Sequence, residues 1–156
     1  MVDKIESGLQ TGKYTLMISM DIAGAYDDVN IEAISKGFED KQIPYIFTKW
    51  YKFYVSHRIA RAAINDNEIE RSLTKGVPQG GVISSFAWNL AIDDILQQNN
   101  AGPIKTIGFA DDICVLVTGI DPDTLVQLAQ PVVDKITELG ESKGLSFNTE
   151  KTVAVM

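Results

Sequence analysis

Residues 104–117 read IKTIGFADDICVLV, a pair of acids between two apolar runs. Two runs of β-forming residues, 104–110 and 113–117, are separated only by Asp111 and Asp112. Two such runs with a two-residue connection predict a tight β-hairpin. The sequence therefore places two carboxylates at the tip of a hairpin.

Another apolar run ends at an acid. Residues 14–20 read YTLMISM, which is too short for a buried helix and predicts a buried strand with Asp21 at its C-terminal end. If this strand pairs beside the hairpin, Asp21 comes close to Asp111 and Asp112. Taken one at a time, each of these acids is better explained as an ordinary turn or capping residue.

A cluster of three carboxylates would have a definite chemistry. Like charges that lie so close stay ionised only beside a cation, and hard carboxylate oxygens favour Mg²⁺ or Mn²⁺ over softer metals. Two such ions roughly 3.5–4 Å apart hold the attacking and leaving oxygens of an in-line phosphoryl displacement. Nucleotidyl transfer is therefore the reaction that such a cluster would serve.

The remaining elements mix helices and strands. Helices are predicted at 31–42 after a cap at Asn30, at about 44–56, from 82 to about 97 and from 122 to 144, and strands at 59–64, 69–73, 145–148 and 152–156. Ile83, Phe86 and Leu90, with Ala87 and Ile95 as further candidates, would form the apolar face of the third helix. Pro131 would kink or split the fourth. The result is one α+β unit with an antiparallel sheet packed against helices.

Composition limits the possible functions. The chain has 156 residues, 45% of them hydrophobic, which indicates an ordinary folded domain. Its net charge of −7, from 14 Lys and Arg against 21 Asp and Glu, argues against avid non-specific binding of nucleic acid. The single cysteine, Cys114, indicates a small buried residue. Without a long apolar run or a signal-peptide pattern, we expect an intracellular location, cytoplasm or nucleus, and no membrane partner.

Residues 49–61 depart from this acidic average. The segment has no acid, and its cations and rings are Lys49, Trp50, Tyr51, Lys52, Phe53, Tyr54, Arg58 and Arg61. Cations track phosphate and rings stack on bases, but the same rings would equally form the buried face of a helix. We predict burial for most of the rings and nucleic-acid contact, through phosphate, for Arg58 or Arg61.

Four segments resemble the reverse transcriptase family, in the order found in that family. They are DIAGAYDDV at 21–29, GVPQGGVISS at 76–85, GFADD at 108–112 and GLSFNTEKT at 144–152, which resemble motifs A, B, C and D. The resemblance covers about residues 14–156 and is closest to the polymerases of non-long-terminal-repeat retrotransposons. Ser85 departs from the pattern, since relatives usually carry proline there, which suggests altered packing.

The resemblance implies roles for individual residues. The catalytic and metal-binding residues would be Asp21, Asp111 and Asp112, with the backbone carbonyl of Ile22 as a further ligand for two Mg²⁺ or Mn²⁺ ions. Lys151 would help to protonate or neutralise the pyrophosphate leaving group, although solvent exposure explains this lysine equally well. Tyr26 would be a steric gate against a ribose 2′-hydroxyl, and Pro78, Gln79 and Gly80 would line the nucleotide pocket.

The resemblance also implies an architecture and a function. The chain would be a single partial domain over 1–156, with a polymerase palm at about 14–30 and 76–156 and a partial fingers insertion at about 31–75. It would be an RNA-directed DNA polymerase fragment that adds deoxynucleotides from dNTP to a primer on an RNA or DNA template. Further fingers and thumb segments would lie on the same or another chain. A truncated, inactive relic that acts as a binding module is the alternative.

Other assignments are less favoured. A nucleotide cyclase also combines acids with a β-hairpin, but the GVPQGG segment and Tyr26 argue against it. Asp93 and Asp94 lie in mid-helix and are predicted to face solvent or to form a local salt bridge. His57 is predicted to lie at the surface or to contact backbone, rather than to transfer protons.

Overall fold

The computed structural model describes residues 12–64, 67–97, 100 and 102–156. The strands are β1 (Tyr14–Ala23), β2 (Arg58–Ile64), β3 (Asn67–Leu73), β4 (Ile104–Phe109), β5 (Asp112–Gly119) and β6 (Ser146–Val155). The helices are α1 (Ala25–Asp28), α2 (Ile31–Asp40), α3 (Tyr45–Ser56), α4 (Ser84–Gln97) and α5 (Pro122–Ser142). These elements form two compact units, a sheet unit within 12–23, 94–142 and 146–156 and a helical unit within 24–93 and 143–145.

The sheet unit is built on a four-stranded antiparallel sheet in the order β4-β5-β1-β6. Side chains alternate between the two faces of a strand, and one face of β1 and β5 carries buried apolar residues. These residues are Leu16, Met20, Ile22, Ile113, Val115 and Val117. Helix α5 packs against β1, β5 and β6 and buries Leu125, Ala129, Val132 and Ile136, which are spaced along one side of the helix.

The helical unit has its own core. The Phe38 ring is fully buried and lies edge-on to the Tyr51 ring, with the ring centroids 5.2 Å apart. A Cβ atom at Gly37 would collide with the carbonyl oxygen of Leu90, so α2 and α4 approach each other at backbone distance. Trp88 of α4 is also fully buried. The β2-β3 hairpin contrasts with this core, because every residue of β3 is exposed.

Most predicted elements are confirmed, and the differences have simple causes. Strand β1 continues two residues beyond Asp21, because the ladder with β6 extends to Ala23. Helix α5 runs unbroken through Pro131. The two predicted C-terminal strands are one irregular strand, β6, and the turn residues 65–66 of the predicted hairpin β2-β3 lie outside the described residues. Among the helices of the described ranges, none is long and apolar enough to span a bilayer.

Helix α2 begins with a side-chain cap that can be tested. The Asn30 side-chain oxygen accepts a hydrogen bond from the Ala33 amide at 2.7 Å. We expect Asn30→Ala to lower the free energy of unfolding by about 1 kcal/mol, the usual cost of losing such a cap. Asn89→Ala, at an exposed position inside α4, is the matched control and should cause no loss, because alanine favours helix. Urea unfolding of both variants measures this, and equal stabilities would contradict the capping role.

Candidate active site

Asp21, Asp111 and Asp112 meet at one end of the sheet. Asp21 lies directly opposite Asp112, the first residue of β5. Opposed residues of an antiparallel pair carry their side chains on the same face. Asp111 lies in the turn after Ala110, which takes a left-handed φ of 53°, and the Asp111 carbonyl accepts a hydrogen bond from the Ile22 amide at 3.2 Å. The ladder and the adjoining turn therefore bring the backbones of the three predicted acids to the same end of the sheet.

A cation lies against these acids. The Lys151 Nζ is 3.3 Å from Oδ2 of Asp21, whose side chain is 22% exposed. Four residues of β6, 149–152, lie between the partners of Asp21 and Ser19, whereas β1 has one residue there. These extra residues form a bulge that includes Lys151. A bulge bends the strand locally and changes the direction of its side chains. The irregularity of β6 therefore places the ammonium group beside the acid.

Asn148 shapes the bulge, a role that sequence reasoning missed. It is the partner of Asp21 on β6, and its side-chain oxygen accepts from the amides of Glu150 at 3.1 Å and Lys151 at 3.3 Å. The Thr152 hydroxyl donates to the Asn148 carbonyl at 2.9 Å. An asparagine that accepts from an amide two residues on is typical of a tight turn. The only sequence signal was the polar stretch NTEK at 148–151.

The donor set fits a hard divalent cation in its chemistry. Carboxylate and carbonyl oxygens are the ligands that Mg²⁺ and Mn²⁺ prefer. Asp21 and Asp112 lie opposite each other here, with Asp111 in the adjoining turn. In the part of the chain that the structure describes, no three His, Cys, Asp or Glu side chains are arranged as a metal site. Asp21 is instead paired with Lys151.

A hollow of about 430 Å³ lies on the sheet face beside the acids. It is lined by Met17, Ser19, Ile107, Phe109, Asp112 and Cys114. The Phe109 side chain is 81% exposed, so apolar surface is available next to Asp112. Partial burial raises the pKa of the Cys114 thiol, which lowers its thiolate fraction and makes it a poor nucleophile.

The helical unit holds the predicted steric gate. The Tyr26 ring, on α1, stacks on the Trp88 indole with ring centroids 5.2 Å apart and planes inclined by 24°. Trp88 is fully buried, whereas Tyr26 is half-buried. An aromatic ring that rests on a fixed, buried ring has little freedom to tilt. Trp88 therefore sets the plane of Tyr26, and sequence reasoning missed this contact.

The glycine-rich loop 75–81 is tied to the segment around Tyr26 by its backbone. The Gly76 amide donates to the Val29 carbonyl and the Val77 amide to the Tyr26 carbonyl, each at 2.7 Å. Gly76 takes φ +78°, and a Cβ there would lie 2.5 Å from the Asp27 carbonyl oxygen. This close approach is open to glycine alone.

Side chains add to this attachment. The Gln79 amide nitrogen donates to Oδ2 of Asp27 at 3.0 Å, and the Lys75 ammonium contacts Oδ1 of Asp28 at 2.6 Å. Pro78 is half-buried, while Gln79 and Gly80 are exposed at the tip of the loop. The segments that resemble motifs A and B, 21–29 and 76–85, are thus in contact within the helical unit. Their contacts involve Tyr26, Asp27 and Gln79.

The basic, aromatic segment 49–61 is more exposed than predicted. Helix α3 buries Thr48, Tyr51 and Val55, which lie on one side of the helix. Burial is confirmed for Tyr51 but is wrong for the other three rings, since Trp50, Phe53 and Tyr54 are 49%, 62% and 45% exposed. The helix has a single buried side, so rings at other positions face outward.

The arginines and other polar residues of the helical unit have local partners. Arg61 pairs with Glu70 at 2.6 Å, and Arg58 donates to backbone carbonyls. Asp93 pairs with Lys41 at 2.6 Å, which confirms a local salt bridge. The His57 ring nitrogen lies 2.8 Å from the Phe53 carbonyl, which confirms a backbone contact.

The chain matches a known protein family over nearly its whole length. Residues 2–156 match the sequence profile of the family described as "Reverse transcriptase (RNA-dependent DNA polymerase)". The chain belongs to the reverse transcriptase family. The family predicted from the four motifs is therefore confirmed.

Curated relatives of this reverse transcriptase chain come from insect retrotransposons. It is 26% identical over 153 residues to a 115 kDa protein of the type-1 retrotransposable element R1DM of Drosophila melanogaster, covering 98% of the chain and 15% of that protein. It is 23% identical to a Pol polyprotein of the type-1 element R2 of Popillia japonica, covering 97% of the chain and 22% of that protein. The chain thus spans less than a quarter of the length of these relatives.

Solved structures with the same fold include telomerases. The telomerase of Candida albicans in complex with a fragment of telomeric RNA has a TM-score of 0.72 at 13% identity, over 99% of this reverse transcriptase chain and 30% of that chain. The apo telomerase of Candida tropicalis has a TM-score of 0.67 at 13% identity, over 98% and 31%. These likenesses confirm the predicted α+β, palm-like fold.

Proposed function

We propose that the chain is the nucleotidyl-transfer part of an RNA-directed DNA polymerase. The observation that carries the proposal is the pairing of Asp21 with Asp112 across β1 and β5, with Asp111 in the adjoining turn, in a chain of the reverse transcriptase family. A primer 3′-hydroxyl would attack the α-phosphorus of a dNTP. A new P–O bond forms, the bond to the β-phosphate oxygen breaks, and pyrophosphate leaves.

The three acids would serve as metal ligands. Asp21, Asp111 and Asp112, with the backbone carbonyl of Ile22, would hold two Mg²⁺ or Mn²⁺ ions. When bound, such ions would activate the attacking hydroxyl and neutralise the charge on the phosphates. Lys151 contacts Oδ2 of Asp21, so a bound ion would compete with this ion pair for the carboxylate.

Lys151 would act on the leaving group. Its side chain is 65% exposed and lies at the acidic end of the sheet, so the ammonium group has the freedom to reach a bound phosphate. A cation there would neutralise charge on pyrophosphate or donate a proton to it. The bulge held by Asn148 supports this role, since it directs the Lys151 side chain towards Asp21.

Residues of the helical unit would receive the nucleotide and its nucleic-acid partners. Pro78, Gln79 and Gly80 would line the nucleotide pocket, with Gln79 already held by Asp27. Arg61, whose side chain is 71% exposed, would contact template or primer phosphate by exchanging its pairing with Glu70. Arg58 would also contact phosphate. Its Nε and Nη2 donate to backbone carbonyls, and Nη1 offers further donors.

The domain layout, the partners and the location that the sequence predicts are also proposed. The palm would comprise about 14–30 and 76–156, and the fingers-like insertion about 31–75. An RNA or DNA template with a primer would be the partner, together with further fingers and thumb segments on the same or another chain. The proposed place of action is the cytoplasm or the nucleus.

Tyr26 offers a test of nucleotide selection. A ring fixed on Trp88 would block the 2′-hydroxyl of a ribonucleotide, so Tyr26→Ala should raise ribonucleotide use relative to deoxynucleotide use by about 10- to 100-fold. Single-nucleotide incorporation of rCTP and dCTP measures the ratio of the two kcat/KM values. Tyr14→Ala, at an exposed tyrosine of β1, is the control. An unchanged ratio in Tyr26→Ala would rule out the gate.

Primer extension tests the function itself. We expect the chain to extend a DNA primer on an RNA template with dNTP and Mg²⁺ or Mn²⁺, and to lose this activity with a chelator. Absence of extension together with absence of Mn²⁺ binding would favour the inactive relic. Formation of a cyclic product from a single ribonucleotide, without primer, would instead indicate a cyclase.

A further inference from the structure

The Arg58 side chain lies among backbone carbonyls of the helical unit. Its Nε donates to the Val55 carbonyl at 3.0 Å, in the last turn of α3. Its Nη2 donates to the carbonyls of Lys75 and Gly76, each at 2.7 Å. One half-buried side chain thus joins the end of α3 to the start of the loop 75–81.

These three contacts require an arginine. The guanidinium group is a planar fork of five donors that stays charged at all physiological pH values, so it can serve several carbonyls at fixed angles. Hydrogen bonds from a charged donor are also stronger than neutral ones. Lysine would bring a single ammonium on a flexible stem and could not reproduce the pattern. Arg61, three residues later, pairs with the carboxylate of Glu70 instead.

The same stretch of loop is held from its other side. The amides of Gly76 and Val77 donate to the carbonyls of Val29 and Tyr26, while Arg58 holds the carbonyls of Lys75 and Gly76. The peptide groups at 75–77 therefore have their oxygens fixed by Arg58 and their amides fixed by the segment around α1. A loop released from Arg58 would keep only the contacts on the α1 side.

We infer that Arg58 is a positioning residue, which fixes the loop 75–81, and with it Gln79 and the backbone of Tyr26, in the shape that receives a deoxynucleoside triphosphate. The inference rests on the proposed polymerase function. It goes beyond phosphate contact, since Arg58 acts here through the backbone of the loop and need not touch the substrate. Its effect is on nucleotide binding, and the acids of the sheet unit keep their own contacts.

Hydrogen exchange tests the contact without reference to activity. In Arg58→Ala, we expect exchange of the amides of Gly76 and Val77 to speed up by about tenfold or more, the factor for losing one hydrogen bond to a charged group. Arg58→Lys should also speed exchange, and methylguanidinium should slow it again in Arg58→Ala. The matched control is Arg71→Ala, in the same exposed hairpin, where Nη1 donates to the neighbouring Glu70 carbonyl. This control should exchange like the unchanged chain.

Nucleotide binding tests the consequence. Titration with dCTP in the presence of Mn²⁺ should give a dissociation constant at least about tenfold higher in Arg58→Ala and near the unchanged value in Arg71→Ala. Binding of Mn²⁺ alone should be the same in all three proteins, because the acids belong to the sheet unit. A merely structural defect would lower both kinds of binding together. Exchange at the amides of α2, in the core of the helical unit, verifies that each variant is folded, and Arg58→Lys serves if Arg58→Ala does not fold.

The outcomes separate this inference from the proposed function. Faster loop exchange together with weaker dCTP binding supports it. Unchanged loop exchange in Arg58→Ala overturns it, and so does faster exchange with unaltered dCTP binding. If the unchanged chain binds no dCTP, it is the proposed polymerase function that has failed, and the exchange result alone decides whether Arg58 fixes the loop.

Discussion

Asp111→Asn is expected to abolish primer extension, with a loss of at least about 100-fold. Replacing even residues that support metal ligands costs about 10- to 100-fold, and Asp111 would be a ligand itself. Asparagine keeps the shape of the side chain but removes the charge that balances a divalent ion. The turn is held by the Asp111 backbone carbonyl, which accepts from the Ile22 amide, so the fold should survive the change. Steady-state primer extension on an RNA template measures the loss.

Mn²⁺ binding separates a broken active site from missing accessory segments. We expect calorimetry or paramagnetic line broadening, with a deoxynucleoside triphosphate present, to show binding that is lost in both Asp21→Asn and Asp111→Asn. Asp123→Asn makes the same chemical change at an exposed acid at the start of α5, and it should bind as the unchanged chain does. Equal binding in all four proteins would refute the metal-ligand assignment and favour an inactive relic.

The sheet could be predicted because its sequence signals are local. Two β-type runs flanking two acids predicted the hairpin β4-β5, and an apolar run before an acid predicted β1. The turn itself lies one residue earlier than predicted, because Asp112 joins β5 and pairs with Asp21. The polar stretch at 148–151 predicted a break between two short strands. The chain there forms a bulge within β6, which absorbs extra residues without ending the ladder.

Helix faces were harder to predict. Periodicity placed Ile83, Phe86 and Leu90 on the buried face of α4, but Phe86 is 46% exposed. The fully buried ring is Trp88, whose neighbours on that face include the small residue Ala91. Small residues give a weak amphipathic signal, although they allow the close packing seen between Gly37 and the Leu90 backbone. The prediction is right for Ala87 and Ile95, which are fully buried, and wrong for Phe86, because a helix with apolar residues on most sides has no clear periodicity.

The candidate site could likewise be predicted where its signal lies in neighbouring residues, but not where it depends on contacts between distant segments. Acids at strand ends and the order of four motifs could be found in the sequence, because both depend on neighbouring residues. The support of Tyr26 by Trp88 and the contacts of Arg58 with carbonyls at 75 and 76 join distant segments. Backbone acceptors are present at every position and leave no pattern in a sequence. Such contacts appear only once the chain is folded.

Gly76→Ala is the second change with a large expected effect. Alanine at φ +78° costs about 1–2 kcal/mol by itself. Its Cβ would also lie 2.5 Å from the Asp27 carbonyl oxygen and 2.7 Å from that of Tyr26, so the loop must move away. That movement would break the hydrogen bonds from the Gly76 and Val77 amides, each worth about 0.5–1.5 kcal/mol. We expect a total loss of about 2–5 kcal/mol in the free energy of unfolding.

Gly102→Ala separates the collision from the backbone strain. Gly102 has a similar φ of +61°, but a Cβ there would meet nothing within 4 Å. This control should lose only the strain energy of about 1–2 kcal/mol, and urea unfolding of both variants gives the difference. Gly76→Ala should also weaken dCTP binding, whereas Gly102→Ala should not, because the displaced loop carries Gln79. If the two variants were equally stable and bound dCTP equally, the close approach of the loop to the Tyr26 segment would have no part in holding the nucleotide site together.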